Sequence, residues 1–346
     1  MEHRIESDLN VSKQETERLY ALLANAGYQM EDCATIAPLT EEINILKQID
    51  GVMALAHHYM TPDITFAIAD YAEDALGLIR RAESSNSNVI LMCSVVSLAE
   101  CVKIACPDKK VLCSEKQAGC SVADSITAED VAGLKAKYPN APAVAYVTTS
   151  AEVKAVSDFV VTSANVRDVI GTLPAKQILF YPDHSMAQSL AADFPDKEII
   201  GWEGTCVVHD NYTIEQVVNF RKQHPDAHVL FHSEVNPDLY VHGELTGGTN
   251  AMMKYVADHP EVNSFFMVTE CGLSDQLRTR YPGKKFIGTC SLCPFMKMIS
   301  LENILDCLRT RDSAKYEITI PDHVLVGAVK AYKNTEQLLG HTHDGC

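Results

Sequence analysis

Twelve cysteines punctuate a chain of 346 residues, and three of them lie in segments that read alike. PDKKVLCSEKQAGCSVADSITAEDV, PDKEIIGWEGTCVVHDNYTIEQVV and PGKKFIGTCSLCPFMKMISLENIL each pass from a Pro-containing turn through a short apolar strand and a cysteine loop to Thr or Ser with Glu two residues later. That order spells turn, strand, loop and helix cap. Cys120, Cys206 and Cys293 each precede the cap residue, Thr127, Thr213 or Ser300, by seven positions, and they are separated by 86 and 87 residues. A lone cysteine usually packs as a small apolar side chain. Loops after strands are not core positions, so a shared register there favours ligands. Three soft thiolates without a fourth suit an iron–sulfur cluster with one iron left open, a Lewis acid able to hold a substrate oxygen and help expel water. Cys290 with Cys293 also reads as a redox pair or as half a zinc site, although a zinc ribbon needs a second such pair. Cys33, Cys93, Cys101, Cys106, Cys113, Cys271 and Cys307 are expected to be structural, and Cys346 a loose terminus.

The opposite end of each unit carries an apolar strand that finishes in polar side chains: MALAHHY, AVAYVTT and HVLFHSE. His57, Tyr146 and His232 share one position there, and Tyr59, Thr148 and Glu234 the next outward one. Ser163 and Thr249 follow Tyr146 and His232 by 17 residues, where the first unit has Ala75. His209 stands three residues after Cys206. Glu234 can accept protons and Tyr59 can donate them if burial moves their pKa values toward neutrality. Ser163 and Thr249, expected at helix N-termini, fit a carboxylate or phosphate through hydroxyl and backbone N–H together, or equally simple N-caps.

These residues need a scaffold that repeats about every 87 positions, too long for a solenoid and right for small α/β domains. Apolar runs such as VILMCSV, QILFYP and SFFMVTE alternate with helical stretches such as SMAQSLAADF, as parallel sheets covered by helices require. The expected fold is α/β: three α/β/α domains related by a pseudo-threefold axis, with short parallel sheets and a central site at their carboxyl ends. The units are expected at 46–140, 141–226 and 227–312, with a helical extension over 1–45 and a C-terminal segment and tail over 313–346. The formal charge of −17 opposes nucleic-acid phosphates and anionic membranes. The start, MEHRIESDLN, is too polar for a signal peptide, and no apolar run reaches a membrane span, so cytoplasmic residence is expected.

With AHHY, LAE…KIACPDKKVL, QAGCS, AEVKAVSDFVVTSAN, WEGTCVVHD, HSE and CSLCPFMKM in place, the chain resembles the quinolinate synthase family from about Val52 to Leu308. The resemblance implies a [4Fe-4S] cluster held by Cys120, Cys206 and Cys293 with one iron open to substrate. It implies a catalytic and positioning set of His57, Tyr59, Tyr146, His209, His232 and Glu234, with Thr148, Ser163 and Thr249 binding substrate. The implied reaction joins iminoaspartate and dihydroxyacetone phosphate into quinolinate for NAD biosynthesis. The implied partners are small molecules carrying carboxylate or phosphate and an oxidase supplying iminoaspartate, in a protein free to form oligomers.

Departures fall on substrate contacts. The family's Gly-Asp-Ser-Leu reads Glu73, Asp74, Ala75, Leu76; its Tyr-Val-Asn reads Tyr146, Val147, Thr148; Ser233 replaces the Pro of its His-Pro-Glu; and Asn250 follows Thr249 where a small residue is common. Two alternatives follow: a related lyase or cyclase acting on a different small oxyanion, and a non-catalytic iron–sulfur sensor. The sensor would need the cysteines but not the proton-transfer set.

Overall fold

A computed structural model of the chain describes residues 2–288, 291–310 and 312–340, with side chains from Lys13 onward. Three four-stranded sheets, all parallel, form in chain order. The first contains β1 (Val52–His57), β2 (Tyr71–Glu73), β3 (Val89–Cys93) and β4 (Lys110–Cys113) in the order β2-β1-β3-β4. The second contains β5 (Ala143–Tyr146), β6 (Phe159–Val161), β7 (Gln177–Tyr181) and β8 (Glu198–Gly201) in the order β6-β5-β7-β8. The third contains β9 (His228–His232), β10 (Leu245–Gly247), β11 (Ser264–Val268) and β12 (Lys285–Ile287) in the order β10-β9-β11-β12. Parallel strands covered by helices on both faces need apolar side chains at successive positions. VILMC of β3, QILFY of β7 and SFFMV of β11 supply them, four of the five residues being buried in each.

The repeated sequence folds into a repeated hydrogen-bond pattern around each cysteine. The helix after the third strand of every unit (Val96–Ala105, His184–Asp193, Cys271–Arg280) gives its first N–H to a carbonyl two residues ahead of the loop cysteine. These bonds are Val96 to Ala118 at 2.9 Å, His184 to Gly204 at 2.8 Å and Cys271 to Ser291 at 3.1 Å. The N–H groups of Asp124, Asp210 and Lys297 then close a turn onto the carbonyls of Cys120, Cys206 and Cys293 at 2.9, 2.9 and 3.1 Å. The helices Ala128–Lys137, Ile214–Gln223 and Leu301–Thr310 follow. Thr127 and Thr213 build capping boxes with Asp130 and Gln216, and Ser300 Oγ accepts from Asn303 N–H. The box partner is thus the third residue after the cap, while the glutamate two residues on sits in the first turn, where acidic side chains suit the helix dipole.

Ahead of the sheets, helices Glu2–Leu23 and Met30–Asp50 pack together, and Gly51, at φ 61°, turns the chain left-handed into β1. A cavity of about 570 Å³ between these helices and the β1–β2 edge includes Arg18 and Lys47, paired with Glu15 and Asp70; it touches none of the cysteine loops. Helix Asp322–Leu338 lies across the first two units. Its Tyr332 hydroxyl donates to Glu83 at 2.7 Å, its Asn334 amide to the Asp158 carbonyl at 2.9 Å, and its Thr335 hydroxyl accepts from Val160 N–H of edge strand β6 at 3.0 Å. Among the described residues, no helix is long and apolar enough to cross a membrane.

Candidate active site

The carboxyl ends of β1, β5 and β9 meet, so residues far apart in sequence form one hydrogen-bonded chain. Glu234, just past β9, sits at its centre: Tyr146 at the end of β5 donates to Oε1 at 2.9 Å, and His209 Nδ1 lies 3.0 Å from Oε2. His209 Nε2 is 3.0 Å from the Thr269 hydroxyl, which is 2.7 Å from the Tyr59 hydroxyl beyond β1. Burial alone would raise the Glu234 carboxyl, but His232, which carries charge only once protonated in acid, and the hydrogen bonds from His209 and Tyr146 outweigh it and hold the group below the usual carboxylate range. An ionised Glu234 accepts only, which assigns the remaining protons. His209 Nδ1–H donates to Glu234; with the imidazole in its neutral form, Nε2 then takes the Thr269 hydroxyl proton, which leaves Thr269 to accept from Tyr59. Burial, reinforced by Glu234, pushes both Tyr59 and Tyr146 well above the ordinary phenol range, so both remain donors.

Two further imidazoles wall this chain. His232 stacks on His209 with ring centroids 4.5 Å apart, and His57 meets the Tyr59 ring edge-on at 4.7 Å. Burial pushes His57 down to about 4 and His232 to about 3, so both are neutral at pH 7. Neutral rings can polarise a substrate oxygen without placing a fixed charge in the site.

The cysteine loops border the same centre. The ligating atoms of Cys206, His209 and Glu234 all lie within 4.8 Å of one another. Ser121 Oγ donates to the Thr205 carbonyl at 3.1 Å and accepts from Val207 N–H at 3.2 Å, tying the first loop to the second. Ser291 Oγ donates to the Val208 carbonyl at 3.3 Å, tying the third loop to the second. Each thiol takes backbone N–H bonds from the residues two and three further on: Val122 and Ala123 for Cys120, Val208 and His209 for Cys206, Phe295 and Met296 for Cys293. Burial raises all three thiols, Cys120 to about 12 and Cys206 well above its ordinary value, so a cation is needed to keep them as thiolates. Three partly exposed thiols, each cradled by an amide pair, fit a thiophilic metal group. Six other cysteines, Cys33, Cys93, Cys101, Cys106, Cys113 and Cys307, are buried in the core. Cys271 is half-buried, with its sulfur 3.3 Å from the Ser291 carbonyl. Cys290 and the tail 341–346 lie outside the described residues.

The hydroxyl positions divide. Ser163 hydrogen-bonds Tyr146, and its Oγ lies so near Gly248 that a Cβ there would approach it to 2.5 Å. It belongs to the turn preceding helix Val166–Thr172 rather than to the helix terminus, because Asn165 closes that turn by accepting from Thr162 N–H at 2.7 Å. Thr249 does open helix Thr249–Asp258, but Gly248 holds the cap position and Thr249 Oγ1 lies 2.9 Å from His58 Nδ1. Thr148 Oγ1 is buried without a protein partner. Ala75 starts helix Ala75–Ser84 behind Asp74, whose side chain caps Gly77 N–H and also hydrogen-bonds Asn250 of the third unit. Sequence reasoning passed over His58 and Thr269. The His-His pair was the visible signal for His58, and the polar Val-Thr-Glu end of an otherwise apolar β11 the signal for Thr269.

Three like α/β units bring three thiols and a buried hydrogen-bonded chain of titratable groups together at their junction. The family model described as quinolinate synthetase A protein matches residues 41–336, and the chain belongs to the quinolinate synthase family. It is 41% identical over 263 residues to quinolinate synthase 2 of Mesorhizobium japonicum, covering 76% of this chain and 81% of that protein. It is 38% identical over 291 residues to the quinolinate synthase of Xylella fastidiosa, covering 84% of each. The quinolinate synthase of Agrobacterium fabrum is 38% identical over 290 residues, covering 84% of this chain and 82% of its own. Membership implies a role in NAD biosynthesis and small-molecule substrates.

Proposed function

We propose that this chain is a cytoplasmic quinolinate synthase that condenses iminoaspartate with dihydroxyacetone phosphate, releasing phosphate and two waters per quinolinate. The observation that carries this reading is the five-group chain Tyr59–Thr269–His209–Glu234–Tyr146, drawn from all three units and set beside the three cysteine loops. Cys120, Cys206 and Cys293 are proposed to hold a [4Fe-4S] cluster. When bound, the cluster would supply Lewis acidity toward a substrate oxygen.

The rest is the work of side chains. Ser163, Thr249 and the unpartnered Thr148 hydroxyl offer hydrogen bonds to substrate carboxylate and phosphate, with neutral His57 and His232 directed at substrate oxygens. In the free site both Glu234 and Tyr59 are shifted away from neutrality, against the condition set by the sequence. Glu234 therefore takes protons from substrate carbon, and Tyr59 returns them to leaving oxygens, only as bound substrate brings the two groups back toward neutrality. His209 and Thr269 re-establish the pattern after each transfer. Such a carboxylate needs its neighbours: Glu234→Gln keeps the shape and removes the base. Iminoaspartate is supplied by an oxidase acting on an amino acid precursor.

Anaerobic incubation of cluster-loaded protein with both substrates, followed by mass detection of quinolinate, tests this reading. Repeated turnovers support it, and no product from protein carrying an intact cluster overturns it. One observation favours a second reading, a related cyclase with another small oxyanion substrate: Ala75 lacks the hydroxyl that Ser163 and Thr249 carry at corresponding positions, and Thr148 replaces an amide. Quinolinate synthesis that appears only in the Ala75→Ser, Thr148→Asn double variant would select it. A sensor that needs only the cysteines leaves the five-group chain without a purpose, and it predicts that Glu234→Gln changes nothing measurable.

A further inference from the structure

The internal repeat exposes one place where the third unit breaks the pattern. The residue before the helix that follows the third strand is Val95, Asp183 and Glu270 in the three units. The residue four after the loop cysteine is Asp124, Asp210 and Lys297. The first unit thus combines an apolar side chain with an acid, and the second two acids, one of which, Asp183, keeps Oδ2 buried without a protein partner. The third unit alone combines opposite charges.

Glu270 has no exposed surface, and both its oxygens are used. Oε2 accepts from Gly272 N–H at 2.6 Å, which caps the helix as Asp183 does in the second unit. Oε1 accepts from the N–H of Cys293 at 3.2 Å and lies 3.0 Å from Lys297 Nζ. Lys297 Nζ also donates to the carbonyl of Tyr59. Gly272 permits this approach, since a Cβ there would stand 2.6 Å from the Tyr59 oxygen and 2.8 Å from Glu270 Oε2. Helix capping accounts for one glutamate oxygen but not for the reach to Cys293 or for the lysine. Stability does not account for the pair either, because a buried ion pair is commonly no better than apolar packing.

We infer that Glu270 and Lys297 are positioning residues that lock the third cysteine loop to the backbone of Tyr59, coupling retention of the metal group at Cys293 to placement of the catalytic phenol. The inference rests on the cluster assignment proposed above. Groups that orient metal ligands from behind commonly change metal affinity ten- to a hundredfold when removed.

The test uses the full chain reconstituted anaerobically as parent, Lys297→Met, Lys297→Arg and Glu270→Gln, with far-UV circular dichroism establishing the fold. The readout is the rate at which a ferrous chelator bleaches the cluster's visible absorbance. Lys297→Met and Glu270→Gln are expected to lose the cluster about tenfold faster, and Lys297→Arg to stay within about threefold of the parent, its guanidinium preserving the charge. In turnover, kcat should fall in the first two while KM moves less than about twofold, since the substrate-binding hydroxyls are untouched. Glu270→Gln keeps the helix cap and carries the test should Lys297→Met not fold. A parent that takes up no cluster refutes the cluster assignment and this inference together. A loaded parent whose folded variants release iron at its own rate refutes this inference alone.

Discussion

Thr269→Val isolates one link of the acid–base chain while keeping its volume. Thr269 is 1% exposed, and its hydroxyl hydrogen-bonds both His209 Nε2 at 3.0 Å and the Tyr59 hydroxyl at 2.7 Å. Valine removes two buried hydrogen bonds worth about 1–1.5 kcal/mol each, a loss of about 2–3 kcal/mol. Tyr59 Oη and His209 Nε2 are already 3.5 Å apart, so they can close on each other and recover part of it, at the expense of turning the Tyr59 hydroxyl away from substrate. If the full loss is felt in the transition state, kcat/KM for quinolinate formation falls by about 30- to 150-fold. Thr269→Ser, which restores the hydroxyl and leaves only a methyl-sized gap, should recover most of the rate. The assay is initial-rate quinolinate formation by anaerobic cluster-loaded protein, with chemical denaturation measured in parallel. Full activity in Thr269→Val would refute the relay, and a serine variant as slow as valine would show that packing, not the hydroxyl, matters.

Replacing Cys120, Cys206 or Cys293 by Ala should each prevent reconstitution of the cluster, measured as iron and sulfide per chain, whereas Cys33→Ala or Cys106→Ala should leave iron content at the parent level. His58 gives the protein an acid sensitivity. Burial, aided by His57 once it is protonated below about pH 4 and by the charge of Arg280, pushes it to about 3, against about 6.5 unfolded, so the unfolded chain binds the extra proton first. Its contribution is present above pH 6.5 and is lost as pH falls toward 3, amounting to about 2 kcal/mol by pH 5; unfolding curves should show that loss shrinking in His58→Gln. Thr335→Val leaves Val160 N–H of β6 without its acceptor and should lower unfolding free energy by about 1–2 kcal/mol, with little change in iron content.

The cysteine triad was legible because each thiol sits at a fixed distance from a local signal, the capped helix start, and local signals survive in sequence. The strand ends bearing His57, Tyr146 and His232 were legible for the same reason: apolar parallel strands announce where they stop. Thr269, His58 and Lys297 were not, because they have partners in other units, some 200 or more residues away for Tyr59–Thr269 and Tyr59–Lys297; Glu270 was not, because its reach to Cys293 and Lys297 depends on a loop fold that the local sequence does not announce. Nothing in a threonine after a strand says that a tyrosine from another sheet will lie against it. Ser163 shows the opposite limit. The repeat located it correctly by count, yet the turn closed by Asn165 delays the helix by three residues, a detail set by one side-chain bond.

Helix Asp322–Leu338 carries a consequence for biogenesis. It bridges Glu83 of the first unit and Val160 of the second, yet the ribosome makes it after all three sheets. While the chain is still being synthesised, β6 has an open edge and the seam between the first two units lacks its clasp. Docking also supplies the missing acceptor for β6 and ends its exposure to pairing with other chains. One late helix thus both clasps the first two units and covers the edge of a sheet that would otherwise stand open.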